Sequence, residues 1–479
     1  MNNNAFIEQG NAILYDIQNS HDRGVDAPIY RSELSMVELL NHPGDLPKQG
    51  MALHDVVAQA ISGLSEGYAN TQHPGFFAYI SPKPDLASVL GDLLAAGHNQ
   101  TSGAWRAGPF ATAIERQVLH WLCQLTGFPA QSGSLPNGII TNGGAMANAT
   151  ALKLAREQTL GQNVKEEGLY GAGRLRFYGS VESHFSIHRS LDFLGMGKKN
   201  LVTLPCTAQG KMDTDILKKQ IIADIEQGYL PCAVVALAGT TATGQVDPLE
   251  AIHQICQEHQ LWMHVDGASG AVFAQLPETS QMFRGIEKAD SVCIDPCKWL
   301  FQSFGIGCLL VRKAETLLHS FSISSHYWDD KEEPDFFQMG LSGTRQWRSL
   351  GLWFLFKTRG LTGVHKQLRH IRQCARHIDN TIGKLAFVEV LSHCELAVAV
   401  FRLKLKNDNA SNDANKALQL WMLDNDQFFL SELEVDGNTW LRAAISNTST
   451  QKTDIERLSA GVSSFYHSLN SVSKHSNKN

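Results

Sequence analysis

The sequence predicts an α/β protein, a mostly parallel sheet with helices on both faces, followed by a smaller α+β domain. Three observations predict it. Between residues 138 and 311, short apolar runs alternate with stretches whose apolar residues recur every three or four positions, the pattern of strands joined by crossover helices. Thr241, Asp266 and Lys298 fall just after such runs, at the carboxyl ends of strands where open α/β sheets bind ligands. Beyond about residue 350 the order changes to long helices at 363–385 and 453–469, flanking strands near 387–391, 396–403 and 439–445.

Residues 1–80 read as a helical segment, amphipathic at 51–64 and punctuated by Pro43, Gly44 and Pro47. The aromatic patch from His73 to Tyr79 suits either core packing or the wall of a ligand pocket. A helix is predicted over 112–125. Next come a strand, a glycine turn and a helix, 138–156. Free N–H groups at such a helix start can cradle an anion, with phosphate the natural candidate. The turn Asn142-Gly143-Gly144 matches neither the Gly-x-Gly-x-x-Gly fingerprint nor a P-loop. Strands then follow at 175–178, 201–204, 232–238, 261–265, 291–294 and 306–311. Helices are expected at 185–194, 214–227 and 248–258, the last with Pro248 suited to its first turn. Residues 321–338 read as a mobile loop. The expected division is 1–80, 81–350 and 351–479.

Composition excludes several classes. The 479 residues are 43% hydrophobic and 18% charged, enough to bury a large core in more than one domain. A net charge of −6 with no long basic run argues against nucleic acid as a partner. No apolar stretch reaches the length of a membrane span. Met1-Asn2-Asn3-Asn4 lacks the basic-then-apolar pattern of a signal peptide. The nine cysteines are scattered without metal-type pairs, so no metal site is expected. Reduced thiols in the cytoplasm follow.

Singly, the polar residues are ambiguous. A lysine beside a tryptophan usually faces solvent, an aspartate after a strand suits a metal or a ribose, and His184 suits an ordinary helix start. Together, however, the blocks 73–79, 138–156, 183–189, 238–241, 264–269, 295–299 and 345–356 stand in the order of, and resemble, the group II pyridoxal-phosphate (PLP) decarboxylases, which include glutamate, aromatic-amino-acid and diaminobutyrate decarboxylases. The resemblance covers about residues 70–360.

It implies the fold type I architecture of PLP-dependent transferases. It also implies a homodimer with the active site at the subunit interface and the 1–80 segment packed on the partner. Lys298 would carry PLP as a Schiff base, Asp266 would face the pyridine nitrogen, and His184 would stack on the ring. Gly144, Ala145 and Met146, with Asp295, would hold the phosphate, and Thr241 would lie near the ring substituents. Arg345 would meet a substrate carboxylate, with Phe77, Tyr79 and Trp105 as candidate substrate-facing aromatics. Tyr327 would return a proton to Cα. The sequence departs from the family at Cys297, where a histidine is common, at Met146, commonly small and polar, at Gly267, commonly alanine, and at Ser269, often tyrosine.

The implied reaction is decarboxylation of an L-amino acid to an amine and CO2. Alternatives on the same fold are oxidative release of an aldehyde, and aminotransfer. A non-catalytic interaction protein would have lost the lysine or the aspartate; both remain.

Overall fold

The structure, a computed structural model, describes residues 3–32, 34–131, 133, 135–323, 335–425 and 427–476. The chain divides into two compact units. One comprises Met1–Lys83, Gln373–His393 and Ala399–Asn479, the other Pro84–Arg372 with Cys394–Val398.

The second unit is built on a seven-stranded sheet. Its strands are β1 (Gly138–Thr141), β2 (Leu175–Ser180), β3 (Leu201–Leu204), β4 (Leu230–Leu237), β5 (Trp262–Asp266), β6 (Ser291–Ile294) and β7 (Gly307–Val311). They lie in the order β1-β7-β6-β5-β4-β2-β3. The pairs β2·β3, β2·β4, β4·β5 and β5·β6 are parallel. β7 is antiparallel to both of its neighbours. β5, β6 and β7 are buried at every position. That is why they read as mostly apolar runs, broken in β5 by His264 and opened in β6 by Ser291, since helices cover both faces of such a sheet. The predicted strand at 306–311 is present, but it runs against the others.

Helices α1 (Pro109–Thr126), α2 (Gly144–Leu160), α3 (Phe185–Phe193), α4 (Thr214–Glu226) and α5 (Leu249–His259) accompany the sheet. The buried face of α2 is mostly small, with Ala147, Ala151 and Ala155. This lets it lie close on β4, β6 and β7. Its start is shaped by two glycines. Gly143 has φ 129°, a conformation that side chains rarely adopt. A Cβ on Gly307 would stand 2.7 Å from Gly143 Cα, so only glycine lets β7 begin against this turn.

The first unit holds a four-stranded sheet in the order Val388–Val390, Val398–Leu403, Asn438–Ala444, Ser431–Val435. The last strand was not anticipated, because its burial alternates only weakly. Helices Asp408–Asp424 and Lys452–Ser476 accompany it, and Tyr30–Ser32 pairs with Gly67–Ala69. Phe76 and Phe77 are core residues here. Their rings lie 5.3 Å from Phe429 and 5.5 Å from Phe428. Among the described residues, no helix is long and apolar enough to cross a membrane.

Replacing Gly307 by alanine should cost about 1–3 kcal/mol from overpacking, read as a lower midpoint in urea. An unchanged midpoint would show that the Gly143–Gly307 approach is not a constraint.

Candidate active site

The carboxyl ends of five parallel strands open on one cavity of ≈ 270 Å³. β1 leads to Gly143 and Gly144, β2 to Glu182 and His184, β4 to Gly239 and Thr241, β5 ends at Asp266, and β6 leads to Asp295 and Lys298. All of these residues line the cavity. Register explains the convergence, because Leu237 pairs with Asp266 and Asp266 with Cys293.

Lys298 is half-buried in the turn after β6, and its Nζ donates to Ser269 Oγ at 3.0 Å. Trp299 anchors the turn from below, buried edge-on against Phe273 at 5.4 Å. Asp295 Oδ1 accepts from Cys297 N at 3.2 Å and from Cys297 Sγ at 2.7 Å. Burial raises the Asp295 carboxyl, against the pull of Lys298 and Cys297. Burial, with the Asp295 charge, pushes the Cys297 thiol up to about 12. Cys297 therefore acts as a protonated donor to Asp295.

Asp266 is buried, and its carboxylate is fixed from both sides. Oδ2 accepts from Asn148 Nδ2 at 2.9 Å and Oδ1 from Ala268 N at 3.2 Å. His184 caps α3, where Nδ1 lies 2.8 Å from Ser186 Oγ and accepts from Ser186 N at 3.3 Å. Burial lowers its pKa, so the ring is neutral at pH 7.

Several other predicted site residues lie elsewhere. Met146 turns away from this cavity into a neighbouring apolar recess of ≈ 430 Å³ lined by Phe193, Leu194, Phe321 and Leu341. Arg345 is off the cavity wall and buried. Its Nη2 donates to Glu115 and, at 2.7 Å, to Ile140 O. Trp105 is mostly exposed and also off the wall. Phe77 and Tyr79 belong to the first unit, where Phe77 is fully buried and Tyr79 exposed with φ 60°. Tyr327 lies outside the described residues.

Sequence reasoning missed Asn148, Ser186 and Glu182. Asn148 lies one helical turn beyond Gly144, on the face of α2 that carries Ala147, Ala151 and Ala155. A polar residue on such a face was the available signal.

The residues fit PLP. An amine held by a hydroxyl and a carboxylate braced by two donors share one cavity. The start of α2 offers N–H groups without intrahelical acceptors to a phosphate. Gly144 opens this helix beside Asp295 and Ala268, all three on the cavity wall.

Comparison with known proteins bears on the same point. Residues 36–404 match the family described as the pyridoxal-dependent decarboxylase conserved domain. An aromatic-L-amino-acid decarboxylase of Bacillus atrophaeus is 31% identical, over 82% of this chain and 80% of its own. The crystal structure of Oryza sativa TDC with PLP and tryptamine matches with a TM-score of 0.92 at 22% identity, covering 98% of this chain and 99% of that one. That of Catharanthus roseus tryptophan decarboxylase in complex with L-tryptophan gives 0.89 at 23%, with the same coverage. The fold is thus that of PLP-dependent decarboxylases. The chain belongs to the pyridoxal-dependent decarboxylase family, and is a PLP-dependent amino-acid decarboxylase.

At pH 8 a thiol with a pKa near 12 is deprotonated in about one molecule in ten thousand. Native protein treated with iodoacetamide at pH 8 should therefore leave Cys297 unlabelled, and unfolding should expose it. Rapid native labelling of Cys297 would refute its role as donor to Asp295.

Proposed function

We propose that this enzyme removes the α-carboxylate of an aromatic L-amino acid as CO2 and releases the amine, with Lys298 as the covalent anchor of its cofactor. The observation that carries this reading is the shared cavity. It holds one amine, one braced carboxylate and one neutral imidazole at neighbouring strand ends. The aromatic side chain rests on the likeness to the aromatic-L-amino-acid decarboxylase.

Bound PLP supplies an electron sink for the pair left at Cα when CO2 departs. The protein's part is to bind, orient and move protons. The Lys298 amine would hold the cofactor by its aldehyde, leaving the site free to take the substrate amine. Once free, its Nζ can carry a proton. The Asp266 carboxylate would hold the ring nitrogen and favour its protonated form. His184 supplies a flat wall, and its neutrality avoids competition with Asp266 for the ring's charge. The N–H groups of Gly144 and Ala145 take the phosphate, with Asp295 oriented beside Lys298. Tyr327 is assigned the return of a proton from its hydroxyl to Cα, on its sequence position. Arg345, tied to Glu115, is assigned a supporting place behind β1 rather than direct contact with substrate in this arrangement.

We further propose a cytoplasmic homodimer with the 1–80 segment packed on the partner. Phe193 and Leu341 support it, exposed on the apolar recess that shares Ala145 and Ser186 with the cavity. A monomer by sedimentation would remove this part.

A panel of L-amino acids, assayed for CO2, amine and peroxide, tests the reaction. An aromatic member should give equimolar CO2 and amine without peroxide. Lys298→Ala should lower turnover at least about a thousandfold, the scale of losing covalent and acid–base function together. CO2 from acidic or basic substrates alone would overturn the aromatic assignment. Stoichiometric peroxide would make the enzyme an aldehyde-forming one.

A further inference from the structure

Behind the cavity runs a line of buried polar groups whose donors and acceptors can be assigned one by one. Trp262 Nε1 lies 2.8 Å from Ser291 Oγ. An indole nitrogen only donates, so this oxygen accepts. A serine oxygen can accept twice, so the direction between Ser291 Oγ and His264 Nδ1, 2.9 Å apart, is set from the other end, where Asn148 Nδ2 donates to the Asp266 carboxylate and turns Oδ1 toward His264 Nε2. His264 is completely buried, and burial lowers its pKa to about 4. It is therefore neutral, and its one N–H sits on Nε2. That N–H points at Asn148 Oδ1, also 2.9 Å away.

The Asp266 carboxylate, which only accepts, orients the Asn148 amide. Its oxygen faces His264, so its two N–H groups face the site. One goes to Asp266 Oδ2 at 2.9 Å and the other to Ser186 Oγ at 3.1 Å. Ser186 Oγ, having accepted, directs its own O–H to His184 Nδ1 at 2.8 Å. His184 Nδ1 also accepts from the Ser186 backbone N–H at 3.3 Å, so the proton of the neutral ring is on Nε2. Every proton from Trp262 onward points toward the cavity, and the line divides at Asn148.

We propose that Asn148 is the positioning residue of this site, one amide that fixes the Asp266 carboxylate and, through Ser186 Oγ, holds His184 in the tautomer that the Ser186 backbone N–H also selects. The inference rests on Asp266 and His184 being the groups that meet the cofactor. Burial makes the arrangement stringent. His264 and Ser291 are fully enclosed, so water cannot replace a missing partner there, and Asn148 and Ser186 are only 1% exposed. An unmade hydrogen bond there is left unmade. Asn148 itself does not touch the reacting atoms. Its influence passes through the two side chains that do, as outer-shell partners orient metal ligands.

The test compares holoenzyme variants. Asn148→Leu keeps the volume and removes the amide; Asn148→Thr is the milder replacement should leucine prevent folding. His264→Gln retains an N–H donor toward Asn148 and His264→Leu does not. Three quantities are read: the dissociation constant of PLP from the apoenzyme, the visible absorption of bound PLP across pH, and kcat against KM. Asp266→Asn serves as the reference.

Loss of the amide should weaken PLP binding about ten- to a hundredfold, shift the pH at which the bound cofactor's spectrum changes, and lower kcat more than it raises KM. His264→Gln should recover most of what His264→Leu loses. PLP affinity and spectrum within twofold of wild type in both Asn148 variants, while Asp266→Asn alters them, would overturn the inference and leave the assignment of Asp266 standing. An unaltered spectrum in Asp266→Asn would overturn the site reading itself.

Discussion

Asp266 pairs with Cys293 across two neighbouring parallel strands, and this pairing brings an acid and an amine to one cavity from positions 32 residues apart in the chain. β5 stops at the aspartate and β6 continues for one residue before the turn that carries Lys298. A slip of one residue between the strands would turn every side chain of one of them to the opposite face. Such a slip is resisted because both strands are buried throughout. The apolar sequence of the strands therefore does more than fill a core, since it holds the register on which the site depends.

The cavity gathers groups that a core would not otherwise tolerate. Asp266, Asp295, Glu182 and Lys298 all line it, and burial raises both Asp295 and Glu182. Each buried charge needs a partner or a ligand. Asp266 has two donors and Asp295 has the backbone and thiol of Cys297. Cys297 thus supplies Asp295 with a side-chain hydrogen-bond donor. Gly267 shows similar local fitting, since a Cβ there would stand 2.6 Å from Ala271 Cβ. An alanine at this position would not fit this backbone unchanged.

Much of this was legible in the sequence, for a physical reason. Strands covered on both faces leave mostly apolar runs, and a charged residue at the end of such a run stands out. Asp266 and Lys298 were visible in that way. The direction of β7 was not, because a short apolar run reads the same parallel or antiparallel. Nor was the tie between Arg345 and Glu115, which joins positions 230 residues apart. Met146 illustrates another limit, as the residues opening a helix point in different directions and sequence adjacency to Gly144 did not put it on the same wall. Asn148 was overlooked because a single asparagine in a helix looks like a surface residue until the small side chains around it are known to be buried.

The central claim concerns two groups and one ring between them, and a crystal structure of the holoenzyme tests it most directly. The account predicts continuous density between Lys298 Nζ and the cofactor's aldehyde carbon, with an Asp266 oxygen about 3 Å from the pyridine nitrogen. Cofactor joined to another lysine, or an Asp266 carboxylate turned away from the ring, would contradict it.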